Sequence, residues 1–389
     1  MSILTAIFYL GLLITGLYGV LLLLLTANWR NMKNFKAGKN YQPQTKITII
    51  IAARNEEKNI SRCLDSLVRQ NYPDELLEII VADDWSEDNT ADVARQYMEQ
   101  FPGKRIALLK LSENPAQPRL KKAAITEAIK IAKGDLIVTT DADCQAGVDW
   151  LKSIAAFYEK EKLKMILSPV DFLPRKDAFG QMQNMEFLGL MAVTGGSAHF
   201  GIPLMCNGAN LAYEKKIFEE VNGFQGNDNL PSGDDVFLML KIAEKHPGLV
   251  KFLKSHEAVI LTESQENLQS LIDQRKRWLS KRTGYQNKFL ILTAIITYTA
   301  NLVCFLALVF GIFGFGSWSW QQTIILLGIK SLADLTLLTS STIWFKKRAL
   351  IKWLIVEELL VIFYVTLIGI FGNSGKYTWK GREINPQEN

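Results

Sequence analysis

Histidine and cysteine are scarce in this chain of 389 residues, with three and four copies respectively. His199, His246 and His256 are scattered, which argues against a zinc centre. Cys63, Cys144, Cys206 and Cys304 form no CxxC pair, so a disulfide-stapled scaffold is excluded and a reducing compartment fits. No Gly-rich P-loop and no GxGxxG is present, so ATP or dinucleotide use has no support. A strong excess of one charge is missing too. Lys and Arg number 44 against 39 Asp and Glu, a net charge of +5. No nucleic-acid partner is indicated by that balance. Internal repeats and low-complexity stretches are also absent.

What the chain has in abundance is apolar sequence, at 48% hydrophobic residues. The length allows one soluble domain of roughly 250 residues plus membrane segments. Ile3 to Leu25 carries no charge and is long enough to cross a hydrocarbon core of about 30 Å. It lacks a basic leader and a small-residue cleavage site, so it reads as an uncleaved anchor. Three more candidate spans follow at about Phe289–Phe315, Thr323–Phe345 and Leu350–Phe371. Arg30, Lys33, Lys36 and Lys39 follow the first span, and Arg275, Lys276, Arg277, Lys281, Arg282 and Lys288 precede the second. Lys346, Lys347, Arg348 and Lys352 lie between the third and fourth, whereas Gly316–Gln322 is uncharged. The positive-inside rule makes the basic sides cytoplasmic. The soluble region then faces the cytoplasm and both termini face outward. The basic tail residues Lys376, Lys380 and Arg382 pull the other way. Lys330, Asp334, Glu357 and Glu358 fall inside candidate spans. They mark a polar path; alternatively Lys330 and Asp334 pair at i, i+4 and the two glutamates sit near the interface.

From Lys46 to about His256, short apolar runs alternate with helical periods. Ile47–Ile51, Leu77–Ala82, Ile106–Leu109 and Leu136–Thr140 read as strands. Ile60, Leu64, Leu67 and Val68, then Ala91–Met98, then Ala123–Ile131 read as helices between them. The expected class is α/β, a mostly parallel sheet with helices on both faces. Ligands of such sheets bind at the carboxyl ends of the strands. Ala53–Glu56, Asp83-Asp84 and Asp141–Asp143 each follow a strand and should converge there. A single Asp in such a place is more often a turn or helix cap, but three clusters at successive strand ends are harder to dismiss.

Each motif has a chemical reading and a plainer one. Asp141 and Asp143 stand two apart after a strand, as Mg²⁺ held by carboxylates and substrate phosphates requires. Such a metal neutralises a diphosphate leaving group; alone, the pair is also a solvated turn. Gly233-Asp234-Asp235 precedes an apolar run and reads either as a helix cap or as a general base. Gln274-Arg275-Lys276-Arg277-Trp278 lies on an amphipathic helix from Glu266 onward, where basic residues and Trp also serve as interfacial anchors. Phe179–Met191 reads as core packing or as an interfacial helix.

In order, these segments resemble the membrane-integrated, inverting family 2 glycosyltransferases. That family includes hyaluronan, cellulose and poly-N-acetylglucosamine synthases and, more distantly, ceramide glucosyltransferase. The resemblance runs from about Ile47 to Trp278. It rests on Ala53-Arg54-Asn55-Glu56, Ala82-Asp83-Asp84-Trp85-Ser86-Glu87-Asp88-Asn89-Thr90, Lys121-Lys122-Ala123-Ala124, Asp141-Ala142-Asp143, Gly233-Asp234-Asp235 and Gln274–Trp278. It implies a GT-A fold, Rossmann-like, joined to transmembrane α-helices. It also implies a UDP-sugar donor, less often GDP-sugar, and Mg²⁺ or Mn²⁺. Ala53, Asn55, Glu56, Asp83, Asp84, Lys121, Asp141 and Asp143 would bind the donor. Among them, Glu56 and Asp84 would contact the nucleoside, Asp141 the diphosphate and donor sugar, and Asp143 the metal. Asp235 matches the catalytic base, with Asp234 where the family usually has Glu. Gln274, Arg277 and Trp278 match the acceptor-end motif, and Asn207 and Gly208, in Cys206–Asn210, line the acceptor region.

The expected organisation is an anchor (1–28), a cytoplasmic GT-A domain (40–262), an interfacial helix (263–288), three membrane helices (289–371) and a tail (372–389). The expected setting is a multi-pass protein of a bacterial inner or cell membrane, with a nucleotide sugar, a glycan or lipid acceptor and the bilayer as partners. A short membrane part and the lack of a cyclic-dinucleotide-binding extension depart from the polymer synthases. Single-sugar transfer to a lipid therefore competes with processive synthesis. A polyprenyl-phosphate sugar transferase fits less well, since that family typically lacks the Gln-x-x-Arg-Trp element. A non-catalytic scaffold would be favoured by loss of a carboxylate, and none is lost.

Overall fold

The computed structural model describes residues 3–111, 121–227, 230, 232–371, 377–380 and 382–384. The chain divides into two compact units. One comprises Met32–Leu173, Ser197–Ser264 and Thr378–Asn389; the other comprises Met1–Asn31, Pro174–Gly196 and Gln265–Tyr377.

The first unit is built on strands β1 (Ile47–Ala53), β2 (Leu77–Asp83), β3 (Ile106–Lys110), β4 (Leu136–Asp141), β5 (Gln145–Ala146), β6 (Met165–Leu167), β7 (Val170–Phe172), β8 (Leu211–Glu214), β9 (Val250–Phe252) and β10 (Ile260–Thr262). Seven of them form one sheet in the order β3-β2-β1-β4-β8-β6-β9. The first four are parallel. The β1 run of three consecutive isoleucines is buried on both faces, as a central parallel strand must be. Helices Ile60–Val68, Thr90–Gln100 and Lys121–Ile131 connect the parallel strands and bury their apolar stripes. The register sets Ala53 opposite Asp83 and Ala52 opposite Asp141. Three carboxyl ends thus finish level, and the three acidic motifs begin where those strands stop.

Two departures from parallel order matter. Strand β8 pairs antiparallel with β4, Leu211 opposite Thr139. Its start therefore meets the carboxyl end of β4, and the turn Gly208–Asn210 ahead of it arrives beside Asp141. In a second sheet, β5-β10-β7, the two residues of β5 pair with β10 immediately after the Asp141–Asp143 segment.

The second unit contains helices Ile3–Asn31, Ala178–His199, Leu268–Ser280, Lys288–Phe313, Trp320–Trp344 and Leu354–Phe371, the second of which runs on to its end in the first unit. Among the described residues, four stretches are long and apolar enough to cross a membrane: Ile3–Asn31, Lys288–Phe313, Trp320–Trp344 and Arg348–Ile370. Leu10, Leu13, Leu17, Ile295, Ile324 and Leu359 are exposed on them, an apolar surface of the kind lipid covers. Asn267 caps the helix Leu268–Ser280 through a reciprocal pair of bonds with Ser270, which is why that helix begins two residues after Glu266.

Lys330 and Asp334 pair at 2.7 Å on one helix, and Tyr18 donates to Asp334 at 2.5 Å. Glu357 and Glu358, read from the sequence as near an interface or on a polar path, are turned into the protein. Both are buried, and Glu358 accepts from Lys330 at 2.8 Å and Ser331 at 3.0 Å. A charge in a low-dielectric interior needs a partner, and Lys330 supplies it from the neighbouring helix.

Lys376 lies outside the described residues, but Lys380 belongs to the first unit and pairs with Glu56, and Arg54 donates to the Lys380 carbonyl at 3.3 Å. That pair sets Lys380 beside the acidic motif of the sheet, whereas the sequence reading has the C-terminus facing outward. A reporter fused at the C-terminus tests the contact in the membrane: green fluorescence without alkaline phosphatase activity is expected if Lys380 pairs with Glu56 there. Strong phosphatase activity there would support the outward tail.

Candidate active site

The first group is a pair of interlocked loops at the ends of β1 and β2. Asp84 N–H donates to the Ala53 carbonyl at 2.8 Å. Asn55 N–H donates to Ser86 Oγ at 3.0 Å, and the Asn55 side chain accepts from Glu87 N–H at 2.9 Å. Glu56 N–H donates to Thr90 Oγ1 at 2.7 Å. Asp83 accepts from Ser86 N–H at 3.2 Å. Asn55 and Trp85 have φ of 50° and 61°, in the left-handed region. Asn tolerates that region; Trp there is strained, which only a well-determined loop sustains. Arg54, buried, donates to the Asp84 carbonyl at 2.9 Å, to the Trp85 carbonyl and to Glu87. Arg54 is thus the clamp of these loops.

The second group lies at the end of β4. Asp143 is held among carboxylates. Burial, then Asp141 and Glu56, push its carboxyl up to about 6, against the opposing charge of Lys380 and a hydrogen bond with Thr262. Its carbonyl accepts from Arg62 at 3.3 Å, and Arg62 pairs with Glu263 at 2.8 Å.

Lys121 joins the motifs. Its ammonium lies 2.6 Å from Asp141 and 3.5 Å from Asp234. Burial opposes its charge, but Asp141, Asp234 and Asp235 outweigh burial and raise its pKa. Gly208 N–H donates to Asp235 Oδ2 at 3.2 Å, and Thr139 Oγ1 donates to the Gly208 carbonyl at 2.9 Å. Asp235 Oδ1 accepts from Val236 N–H at 2.8 Å. Asp234 and Asp235 occupy the first turn of the helix Asp234–Lys245, after Gly233 at φ 89°. The positive end of that helix dipole favours their charge. Asn207 accepts from Ala209 N–H at 3.0 Å, and the buried Asn210 bonds the carbonyls of Pro169 and Ala258 and the Trp150 indole. This anchors the turn that delivers Gly208.

A Cβ on Gly208 would lie 3.2 Å from Asp234 Oδ2 and 3.3 Å from Lys121 Nζ. Gly208→Ala should therefore spread these groups and lower the turnover number roughly tenfold, with less effect on the melting temperature. Steady-state kinetics beside thermal melting check this; unchanged turnover would refute the close-approach argument.

Among the described residues, no group of three or more His, Cys, Asp or Glu side chains is arranged to hold a metal alone. The donor set nevertheless suits a hard dication that also binds substrate phosphates. Asp141 and Asp143 offer oxygen, and the crowded charge that raises Asp143 is what a cation relieves. Gln274, Arg277 and Trp278 lie in the other unit, on the helix Leu268–Ser280. Arg54 stood inside a motif without a role of its own; Arg62, Thr262 and Lys380 were unmarked, and Thr262 and Lys380 arrive from far along the chain.

Two family models match this chain: glycosyl transferase family 2 over residues 48–221 and glycosyl transferase family group 2 over residues 136–371. The second covers more than half of the chain, and the chain belongs to that family. Its relatives include glycosyltransferase AglE of Haloferax volcanii, 26% identical over 49% of this chain and 59% of that protein. A poly(ribitol-phosphate) beta-glucosyltransferase of Bacillus spizizenii is 39% identical over 27% of this chain and 16% of that protein. Beta-monoglucosyldiacylglycerol synthase of Trichormus variabilis is 25% identical over 39% and 33%. The chain thus spans less than two thirds of the length of each of these three relatives. Mannosyltransferase PcManGT of Pyrobaculum calidifontis, solved in complex with GDP-Man and Mn²⁺, has a TM-score of 0.59 at 19% identity, over 91% of this chain and 99% of that one. That likeness shows a shared GT-A fold.

Proposed function

We propose that this protein is a membrane glycosyltransferase that moves a sugar from a nucleotide-sugar donor, a UDP-sugar, to a lipid or glycan hydroxyl with inversion. The observation that carries the reading is Lys121, whose one ammonium links Asp141 of the donor motif to Asp234 of the base motif. Leaving-group chemistry and proton removal therefore fall within one cluster. Glu56 and Asp84 serve the nucleoside, with Ala53, Asn55 and Asp83 shaping their loops. Lys121 and Asp141 face the diphosphate. Asp143 and Asp141 would hold Mg²⁺ or Mn²⁺, which when bound supplies Lewis-acid neutralisation of the diphosphate.

In the reaction, Asp235 takes the proton of the acceptor hydroxyl. That oxygen forms its bond to the donor's anomeric carbon from the face opposite the diphosphate. The bond between carbon and diphosphate oxygen breaks, and the nucleoside diphosphate leaves with the electron pair. One displacement inverts the anomeric centre. Asn207 and Gly208 border the acceptor hydroxyl. The acceptor-end role of Gln274, Arg277 and Trp278 rests on the sequence motif. The domain 40–262 is read as cytoplasmic, between the anchor 1–28 and the interfacial helix 263–288, in a bacterial inner or cell membrane. The apolar surface of residues 289–371 supports that setting.

A screen of purified protein in lipid with UDP-glucose, UDP-N-acetylglucosamine and GDP-mannose tests the donor. Release of UDP is expected from a UDP-sugar, and EDTA should abolish it until Mg²⁺ or Mn²⁺ is restored. No release from any donor would overturn the reading. Product length from labelled donor separates one-sugar transfer to a lipid, favoured by the small membrane part, from polymer synthesis.

A further inference from the structure

Arg275 is not among the residues assigned above, yet it touches two that are. It lies on the helix Leu268–Ser280, three positions before Trp278 and next to Gln274. Its guanidinium carbon stands 4.2 Å from the Trp278 ring centroid. Its Nη1 donates to Gln274 Oε1 at 2.9 Å, and its Nη2 donates to Glu186 Oε2 at 2.5 Å. Glu186 comes from the helix Ala178–His199 and also accepts from the Tyr364 hydroxyl on the helix Leu354–Phe371. The arginine side chain is 10% exposed and the glutamate 14%. Burial opposes the guanidinium charge, and Glu186 more than restores it.

An anchoring arginine in an interfacial helix points its charge towards water or lipid phosphate. This one is turned inward and fully committed on one side to a carboxylate. We propose that Arg275 is a positioning residue: pinned by Glu186, its plane sets the angle of the Trp278 indole and the direction of the Gln274 amide. This rests on the acceptor role given to Gln274 and Trp278 above. The chemistry requires arginine. Only a planar guanidinium can stack on an indole face while its edge bonds a carboxylate and an amide oxygen. Lysine would keep the ion pair and lose the stack. The helix Ala178–His199, which as a sequence reads as core packing or as an interfacial helix, thereby governs the acceptor end through Glu186.

The test uses full-length protein in detergent with fluorotryptophan incorporated, and the Trp278 fluorine resonance identified by its loss in Trp278→Phe. In Arg275→Lys that resonance should shift and broaden while the melting temperature is kept. With UDP-glucose as donor and octyl β-glucoside as acceptor, the acceptor KM should rise about tenfold while the donor KM holds, as loss of one partly buried stack implies. The exchanged pair Arg275→Glu with Glu186→Arg should recover the melting temperature without recovering the resonance or the acceptor KM. A Trp278 resonance unmoved in both Arg275→Lys and Arg275→Met would overturn the proposal, as would full kinetic recovery in the exchanged pair. If the wild type transfers nothing to octyl β-glucoside, the acceptor reading loses support, and the resonance still decides the positioning.

Discussion

Asp235→Asn should lose sugar transfer and keep nucleotide binding. The amide has the size of the carboxylate and can still accept from Gly208 N–H or from Val236 N–H, which now donate to the two oxygens of Asp235. What it cannot do is take a proton from an alcohol. General-base removal costs about 10²- to 10⁴-fold in rate. The proposed nucleoside contacts lie in the loops after β1 and β2, whose bonds do not involve this side chain. Calorimetric titration with UDP and Mn²⁺ should thus resemble wild type, while labelled-sugar transfer falls to the floor of the assay. Normal turnover would remove Asp235 from the mechanism. Loss of UDP binding as well would mean that Asp235 holds the site together instead of acting on the acceptor.

Lys330→Met should be the most destabilising substitution in the helical unit. Lys330 is fully buried and pairs with both Asp334 and Glu358, two carboxylates on different helices. Removing the one cation leaves the two carboxylates with only the Tyr18 and Ser331 hydroxyls as hydrogen-bond partners among the described residues. Breaking a buried pair costs about 3–5 kcal/mol. Unfolding of purified protein in detergent, followed by circular dichroism, measures this. The triple variant Lys330→Met/Asp334→Leu/Glu358→Leu should recover most of the loss, because well-packed apolar groups replace a buried ion cluster at little cost. A single variant as stable as wild type would show that the cluster carries no stability, and a functional polar path would regain its place.

Much of the architecture can be read from the chain because its signals are local. The isoleucine run at 47–51 extends by only two residues to become β1, and Leu136–Thr140 gains one to become β4. The apolar runs end within a few residues of the helices Lys288–Phe313 and Trp320–Trp344. Each depends on the period or length of its own residues. The convergence of Ala53, Asp83 and Asp141 is readable one step further on, since parallel strands of a sheet end on the same side.

Other features depend on residues far apart. Gly208 reads as an acceptor-region residue by resemblance alone, and the antiparallel pairing of β8 with β4 is what carries it to Asp235. Lys380 reads as part of a basic tail until the chain returns and sets it against Glu56. Glu358 reads as part of a polar path or as an interfacial charge, and only packing sets Lys330 beside it from another helix.

The sequence by itself determined the strand and helix repertoire, the apolar spans, the acidic motifs and the family, because hydrophobic period and residue type act over a few positions. Only the tertiary structure decided which charges meet: Lys121 between Asp141 and Asp234, Arg275 between Glu186 and Trp278, Lys330 between Asp334 and Glu358. Ion pairs are short-ranged in space and indifferent to distance along the chain, so they exist only once the elements have packed.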